Sequence, residues 1–536
     1  MDASGDRFVG RLRRAGARTR GYPGHRGGMA VVTGATRRIA YNCRMNELRD
    51  PGDAVIAIVG GGASGVLVAL QLLRQAVAPV QIVVIEPHAV LGEGVAYSTA
   101  RPEHLLNVPA ARMSALVEAP QDFVDYLRAH ACCPELEDAR LPQAFVGRRH
   151  YAPYLRDRLQ TARVQSPATL IVHSARVQTL HADADGALLQ LDDGQTLHAT
   201  SVVLAVGNAL RPLPLRGATG LSATQRLEAW DTEAVAALPQ DAAVCIVGSG
   251  LSMADTVVTL AAQAHRGAVH VVSRHGLLPL PQAHCVAADF DPRPLLALSL
   301  RARMRSLRQH ARVAMAQGLP WQGVMERVRP LNQVLWQTLS VADQRRFLRH
   351  VVRYWDVHRH RIAAPVHAQL QAMRARGQLQ LHCARLDVAF QAGACVRLSA
   401  GASAGHALQL DVQTLVNATG VEMRVQAMRN PLLQQLLGQG IAVAGSHGIG
   451  VDTAADGCLI DAEGHANPRL RVIGSLRIGS LWESLAVPEL REQAAAIARD
   501  VLALLGGEGP IVPFSPGRRW RVAPDEGASG MCQCLQ

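Results

Sequence analysis

Two stretches of the chain carry the same succession of apolar and small residues. In AVIAIVGGGASGVLVALQLL, residues 54–73, a β-branched run (Val55, Ile56, Ile58, Val59) meets three glycines and then a helix-forming apolar segment, with no charge among the twenty residues. Twenty apolar residues suffice to cross a lipid core as one helix. Each glycine inside a helix costs about 1 kcal/mol relative to alanine, however, so Gly60, Gly61 and Gly62 would break that helix at its centre. The pattern predicts strand, tight turn and helix instead. AAVCIVGSGLSMADTVVTLAAQ repeats it, with a strand from Val244 to Val247, a glycine turn and a helix. Each unit is followed by an apolar strand with a polar end, VQIVVIE closing on Glu86 and AVHVVSRHG on Ser273-Arg274. Each is followed later by an apolar strand closing on glycine, SVVLAVGN at Gly207 and TLVNATG at Gly420. Between these parts, Val324, Val328, Leu331, Leu335 and Leu339 step by three and four, as do Phe347, Val351, Tyr354 and His358. That period predicts helices with one apolar face, bent at Pro330.

The spacing Gly60-x-Gly62-x-x-Gly65 gives each glycine its own role. The first makes the turn, the second lets a pyrophosphate approach the backbone, and the third packs helix against strand. Glu86 lies twenty-one residues beyond Gly65, where a carboxylate accepts hydrogen bonds from ribose hydroxyls. The second turn keeps Gly248 and Gly250 but has Met253 in place of the third glycine. Arg274 at the end of its second strand suits a 2′-phosphate that a carboxylate would repel; the alternative is a solvated charge at a strand end. The reading is FAD at the first turn and NADPH at the second. The expected cofactor-binding residues are Gly60, Gly62, Ser64, Gly65, Glu86 and Asn107 for the first, and Gly248, Gly250, Ser252, Ser273, Arg274 and Gly420 for the second.

Composition narrows the classes. The 536 residues carry a formal charge of +12, but residues 1–44 alone hold ten arginines against two aspartates. The rest is nearly balanced, which argues against a nucleic-acid partner. The basic stretch lacks an apolar signal core and reads either as a transit peptide or as sequence upstream of a start at Met45. All 55 basic residues are arginine. Without lysine, Schiff-base enzymes and P-loop nucleotidases are excluded. The ten cysteines show no Cys-x-x-Cys spacing, so neither a redox pair nor a metal site is expected, and a cytoplasmic protein with reduced thiols is.

With both glycine motifs, GEGVAYSTARPEHLLNVPAARMSALVEAPQDFVDYL (residues 92–127) and GSLWESLAVPELREQAAAIA near the C-terminus resemble the FAD/NAD(P)-binding flavoprotein family that includes FAD-dependent urate hydroxylases and aspartate N-monooxygenases. The resemblance runs from about residue 53 to about residue 505. It implies an α/β protein with two Rossmann-like dinucleotide-binding domains, for FAD and NADPH, and a helical insertion in the second. The expected organisation is a disordered extension (1–50), the FAD domain (51–215), the NADPH domain (240–277 and 371–420) around the insertion (278–370), a return to the FAD domain (421–507) and a tail (508–536). Flavoproteins of this architecture often place Gly-Asp at the late strand; here Gly474-Ser475 stands there, with the serine hydroxyl as a substitute toward the ribityl chain. The helix from about Val487 would direct its positive end at the flavin.

The resemblance further implies hydride transfer from NADPH to FAD, then oxygen transfer through a C4a-hydroperoxyflavin to a small anionic nitrogenous substrate. Urate, giving 5-hydroxyisourate, is the specific expectation. The alternatives are an amino-acid N-monooxygenase or an NADPH-dependent reductase without oxygenase activity. The expected partners are a small-molecule substrate and molecular oxygen, with no membrane. His104, Asn107 and Ser114 are the polar groups of the HLLNVPAARMS loop expected to reach flavin or substrate. Tyr97 is either near the flavin or a packing residue. Arg359 and Arg361, in YWDVHRHRIAAPV, read either as handles for an anion or as the solvated face of a helix end.

Overall fold

The computed structural model describes residues 40–41, 54–88, 90–400, 408–483 and 485–506. The extension and the tail fall outside this range, as does the expected start at Met45. The exception is Ala40–Tyr41, within the stretch expected to be disordered, which pairs in parallel with Ile171 and Val172 at the edge of a sheet.

Residues 54–73 form strand Val55–Val59, a turn and helix Ala63–Gln75. The strand lies inside a seven-stranded sheet ordered Ala40–Tyr41, Thr169–His173, Gln81–Ile85, Val55–Val59, Ser201–Leu204, Ala466–Val472 and Cys458–Ile460. All its pairs are parallel except the last. Parallel strands are covered on both faces, which explains their unbroken apolar runs: every residue of Val55–Val59 and of Gln81–Ile85 is buried. Helices Ala63–Gln75, Tyr151–Gln165 and Val487–Leu504 contribute to the core on one side of this sheet.

A five-stranded parallel sheet repeats the arrangement in the order Arg226–Glu228, Thr414–Asn417, Val244–Val247, Val269–Ser273 and Leu379–Cys383. The repetition extends to detail. A three-stranded antiparallel sheet, within residues 177–199 in the first unit and 386–412 in the second, precedes the strand that closes on glycine. A Cβ on Gly60 would lie 2.3 Å from the Ala205 carbonyl oxygen, and one on Gly248 would lie 2.2 Å from that of Ala418. Both glycines have positive φ (107° and 111°), so only glycine fits either turn. The chain leaves the first sheet after Ser201–Leu204, builds the second, and returns for Cys458–Ile460 and Ala466–Val472. The outgoing and returning segments pair antiparallel, Ala209–Leu210 with Val421–Glu422.

Residues 278–370 are largely helical, as their periodicity predicts. Val324, Val328 and Leu335 are buried, and a tight turn at Arg329–Leu331, which contains Pro330, separates helix Gln322–Val328 from helix Asn332–Gln337. The second predicted stripe is shifted. Residues Phe347–Val351 form a π-turn, whose extra residue rotates the helix beyond it. Val352 is buried and Trp355 packs inward, whereas Tyr354 is exposed.

Candidate functional site

The first glycine turn is built as its spacing requires. A Cβ on Gly65 would stand 1.9 Å from the Gly60 carbonyl oxygen and 3.3 Å from Cγ2 of Ile58, so this glycine sets how closely the helix approaches its strand. Gly62 differs: a Cβ there would meet only Cα of Gly94, at 3.6 Å, and the Gly94 nitrogen, at 3.9 Å. Gly62 is the N-cap of the helix with no side-chain cap, so the first-turn N–H groups face open space. Such a cradle fits an anionic pyrophosphate. Glu86 stands at its edge, its two oxygens accepting from the N–H of Gly61 (2.7 Å) and of His88 (2.9 Å). The carboxylate is thereby fixed with lone pairs left for ribose hydroxyls. From the late strand, Gly474 (φ 78°) brings the chain against Ser64, whose Oγ would lie 3.1 Å from a Cβ at that position. The Ser475 hydroxyl donates to the Gly207 carbonyl at 2.5 Å, tying the late strand to the outgoing one. Gly60, Gly62, Ser64, Gly65, Glu86, Gly474 and Ser475 thus converge at one end of the first sheet.

The second turn has the same form. A Cβ on Gly250 meets nothing within 4 Å, and this glycine is the uncapped N-cap of helix Leu251–Ala262. Ser252 Oγ accepts from Trp230 Nε1 at 3.4 Å. Ser273 Oγ accepts from the Ser249 hydroxyl (3.0 Å) and the Gly276 N–H (3.1 Å), fixing the strand end that presents Arg274. Gly420 (φ 87°) borders open space. Arg274 is exposed and lines a cleft of about 400 Å³ with His275, Arg345, Leu348, Arg349, Val352, Arg353 and His447.

Residues 57–209 match the family model described as FAD-NAD(P)-binding. The chain has the fold of the FAD/NAD(P)-binding flavoproteins. Among solved structures, the ornithine N-hydroxylase of Kutzneria sp. 744 is 16% identical, with a TM-score of 0.57 over 85% of this chain and 100% of that one. L-lysine 6-monooxygenase of Pseudomonas syringae is 16% identical (TM-score 0.56; 83% of this chain, 98% of that one). The cadaverine monooxygenase of Erwinia amylovora, a structure bound to FAD, is 12% identical (TM-score 0.56; 88% and 99%). No curated protein sequence matches the chain.

Within this flavoprotein fold, three residues expected to be catalytic are engaged elsewhere. His104 is 2% exposed and bridges the two nucleotide modules. The Thr259 hydroxyl donates to the Asp255 carbonyl (3.0 Å), which leaves its oxygen to accept from Nε2 of His104 at 2.8 Å, while Nδ1 accepts from the Thr99 hydroxyl at 2.8 Å. Beside it, Arg148 forms a bidentate pair with Asp255 (2.7 and 3.1 Å) and donates to the Leu105 carbonyl (2.9 Å). Ser114 is fully buried, its hydroxyl near the carbonyls of Ala119 (2.7 Å) and Leu116 (3.1 Å), and it shapes the loop. Arg359 donates from Nε to Glu483 at 2.7 Å. Trp355 Nε1 and Asn332 Nδ2 also donate to that carboxylate, and Glu483 sits at φ 64° with its side chain 4% exposed. Glu483, inside the GSLWESL segment, is thus the hub that holds the insertion to the late part of the first module. Arg361 is likewise withdrawn, paired with Glu326, which Arg112 also contacts at 2.9 Å.

Asn107 fares differently. Its carbonyl accepts from Gln282 Nε2 at 2.9 Å, joining the loop to the insertion, and its side chain has no hydrogen bond among the described residues. It remains the polar group of that loop available to a ligand. Tyr97 packs on Tyr151 with ring centroids 4.6 Å apart, and burial pushes its hydroxyl up to about 12. Sequence reasoning missed Arg148, Asp255 and Glu483, whose partners lie more than a hundred residues away. It also missed Arg345, Arg349 and Arg353, although their spacing of four was visible.

Burial, ahead of the opposing pull of Asp255, holds the His104 imidazole below its ordinary value of 6.5. The unfolded chain therefore binds a proton near pH 6.5 that the folded chain refuses, and stability present above that pH is lost as the pH falls toward the folded value. Urea unfolding between pH 7 and 5 should show a shallower loss of stability in His104→Gln than in the parent; equal slopes would remove His104 from the linkage.

Proposed function

We propose that the protein is an FAD-dependent, NADPH-using monooxygenase that N-hydroxylates a small amine or amino acid. The observation that carries the reading is the pair of glycine cradles, each an uncapped helix N-terminus at the end of a parallel sheet, within one fold. Bound there, FAD supplies the redox and oxygen chemistry, and the protein supplies position and exclusion of water. Gly62 and the first turn behind it hold the flavin pyrophosphate, Glu86 the ribose, and Ser64 and Ser475 stand near the ribityl chain. Gly250 and Arg274 receive NADPH, and Asn107 offers an amide toward the substrate.

The urate reading has less support. Three solved structures that share this fold are described as an ornithine N-hydroxylase, an L-lysine 6-monooxygenase and a cadaverine monooxygenase, names that all refer to amines, which favours N-hydroxylation. A reductase remains the second reading, although the sequence has no Cys-x-x-Cys pair of the kind that serves as a redox-active acceptor.

The test is oxygen consumption by the FAD-loaded protein with NADPH and a panel of ornithine, lysine, cadaverine, aspartate and urate. One amine should raise oxygen uptake above peroxide release and gain one oxygen atom by mass spectrometry. A hydroxylated purine would restore urate, and peroxide formation indifferent to every compound would leave a reductase.

A further inference from the structure

The cleft around Arg274 holds more positive charge than one strand-end arginine supplies. Arg345, Arg349 and Arg353 come from the insertion and face Arg274 across it, and none of the lining residues is acidic. Arg353 pairs with Asp356 at 3.2 Å. Arg274, Arg345 and Arg349 have no carboxylate partner among the described residues. Arg211, close by, is held below its ordinary value chiefly by burial, and Arg353, Arg424 and Arg274 push the same way against the pull of Glu422. Three unpaired guanidinium groups around one cavity repel one another unless an anion lies between them.

The backbone accounts for their alignment. In an α-helix of 3.6 residues per turn, an i, i+4 pair overshoots a full turn, and a series at i, i+4 and i+8 winds off one face. Between Arg345 and Arg353 the chain passes through the π-turn Phe347–Val351. Its wider turn takes back the overshoot and keeps the three arginines in a row. The same turn buries Phe347 against Trp336 and Trp482, which anchors the row.

Resting on the reading of the second module as an NADPH site, we infer that the helical insertion completes the recognition of that cofactor: Arg345 and Arg349, opposite Arg274, clamp the 2′-phosphate of its adenosine. The location supports this ligand, because the ribose 2′ substituent of a bound dinucleotide lies at the end of the module's second strand. A phosphate monoester carries a charge of about −1.5 to −2 at neutral pH and three acceptor oxygens, which suit several guanidinium groups better than one. The insertion, not only the nucleotide fold, then separates NADPH from NADH.

Calorimetry on the FAD-loaded protein tests this without turnover, with adenosine 2′,5′-bisphosphate and adenosine 5′-monophosphate as probes. The parent should prefer the bisphosphate. Arg345→Gln/Arg349→Gln should bind it about tenfold more weakly or worse, the loss expected of charge-assisted hydrogen bonds, with monophosphate affinity unchanged. Arg274→Gln should move the same way. A double variant that binds the bisphosphate like the parent would overturn the clamp, as would an equal loss for both probes. A parent without preference would overturn the clamp and the NADPH reading together. A clamp that passes, in a protein that hydroxylates no amine, would stand while the proposed activity fell.

Discussion

Gly62→Val should fold normally and purify without the yellow colour of bound flavin. At φ −66° and ψ −173°, Gly62 occupies extended backbone open to any residue, and its nearest neighbour along the Cβ direction is Cα of Gly94 at 3.6 Å. The protein without cofactor has room for the valine; the complex does not, because the methyl groups would stand where the pyrophosphate meets the first-turn N–H groups. Loss of two charge-assisted hydrogen bonds at about 1.5–3 kcal/mol each lowers FAD affinity by about a hundredfold or more. The measurement is FAD titration of the apoprotein, with circular dichroism to confirm the fold. Normal affinity would dismiss the assignment of this turn. Gly65→Ala should fail differently, in folding, because its methyl would be driven into the Gly60 carbonyl.

The second large effect is expected at Glu483. Glu483→Ala removes the acceptor of Arg359, Trp355 and Asn332 at once and leaves a guanidinium 11% exposed without its partner. Breaking a buried pair by deleting one member costs about 3–5 kcal/mol. Alanine also keeps the cost of the left-handed backbone at φ 64°. Urea unfolding followed by tryptophan fluorescence reads the change directly, since Trp336, Trp355 and Trp482 surround the site. Glu483→Gln, which preserves an acceptor oxygen for the Trp355 indole, should lose less than the alanine variant. A shift below about 1 kcal/mol for Glu483→Ala, the scale of an exposed pair, would mean that the cluster is not holding the insertion.

The glycine turns, their acid and arginine ends and the crossing strands were legible because each is decided within a few residues: β-branched strand, obligatory glycine, helix. The helical insertion was legible for the same reason. The roles of His104, Ser114 and Arg359 were not. A histidine in a polar loop reads alike whether it meets a flavin or the hydroxyl of Thr259, 155 residues away. An arginine at a helix end reads alike whether it faces solvent or Glu483, 124 residues away. The π-turn hid a further fact, since a stripe counted at helical period carries Phe347 and Val351 inward correctly but places Tyr354 where Trp355 stands.

The two nucleotide modules repeat each other down to the carbonyl that faces each first glycine, the pattern left when one cassette is copied. They are no longer interchangeable parts. His104 has its partner on the helix of the other module, Arg148 has Asp255 there, and the paired segments Ala209–Leu210 and Val421–Glu422 close the junction. A chimaera that imported a foreign second module at these boundaries would leave Arg148 without its carboxylate and His104 without its hydroxyl. Exchange of cofactor preference by module swapping is therefore closed to this chain, and redesign must proceed by point changes along the cleft.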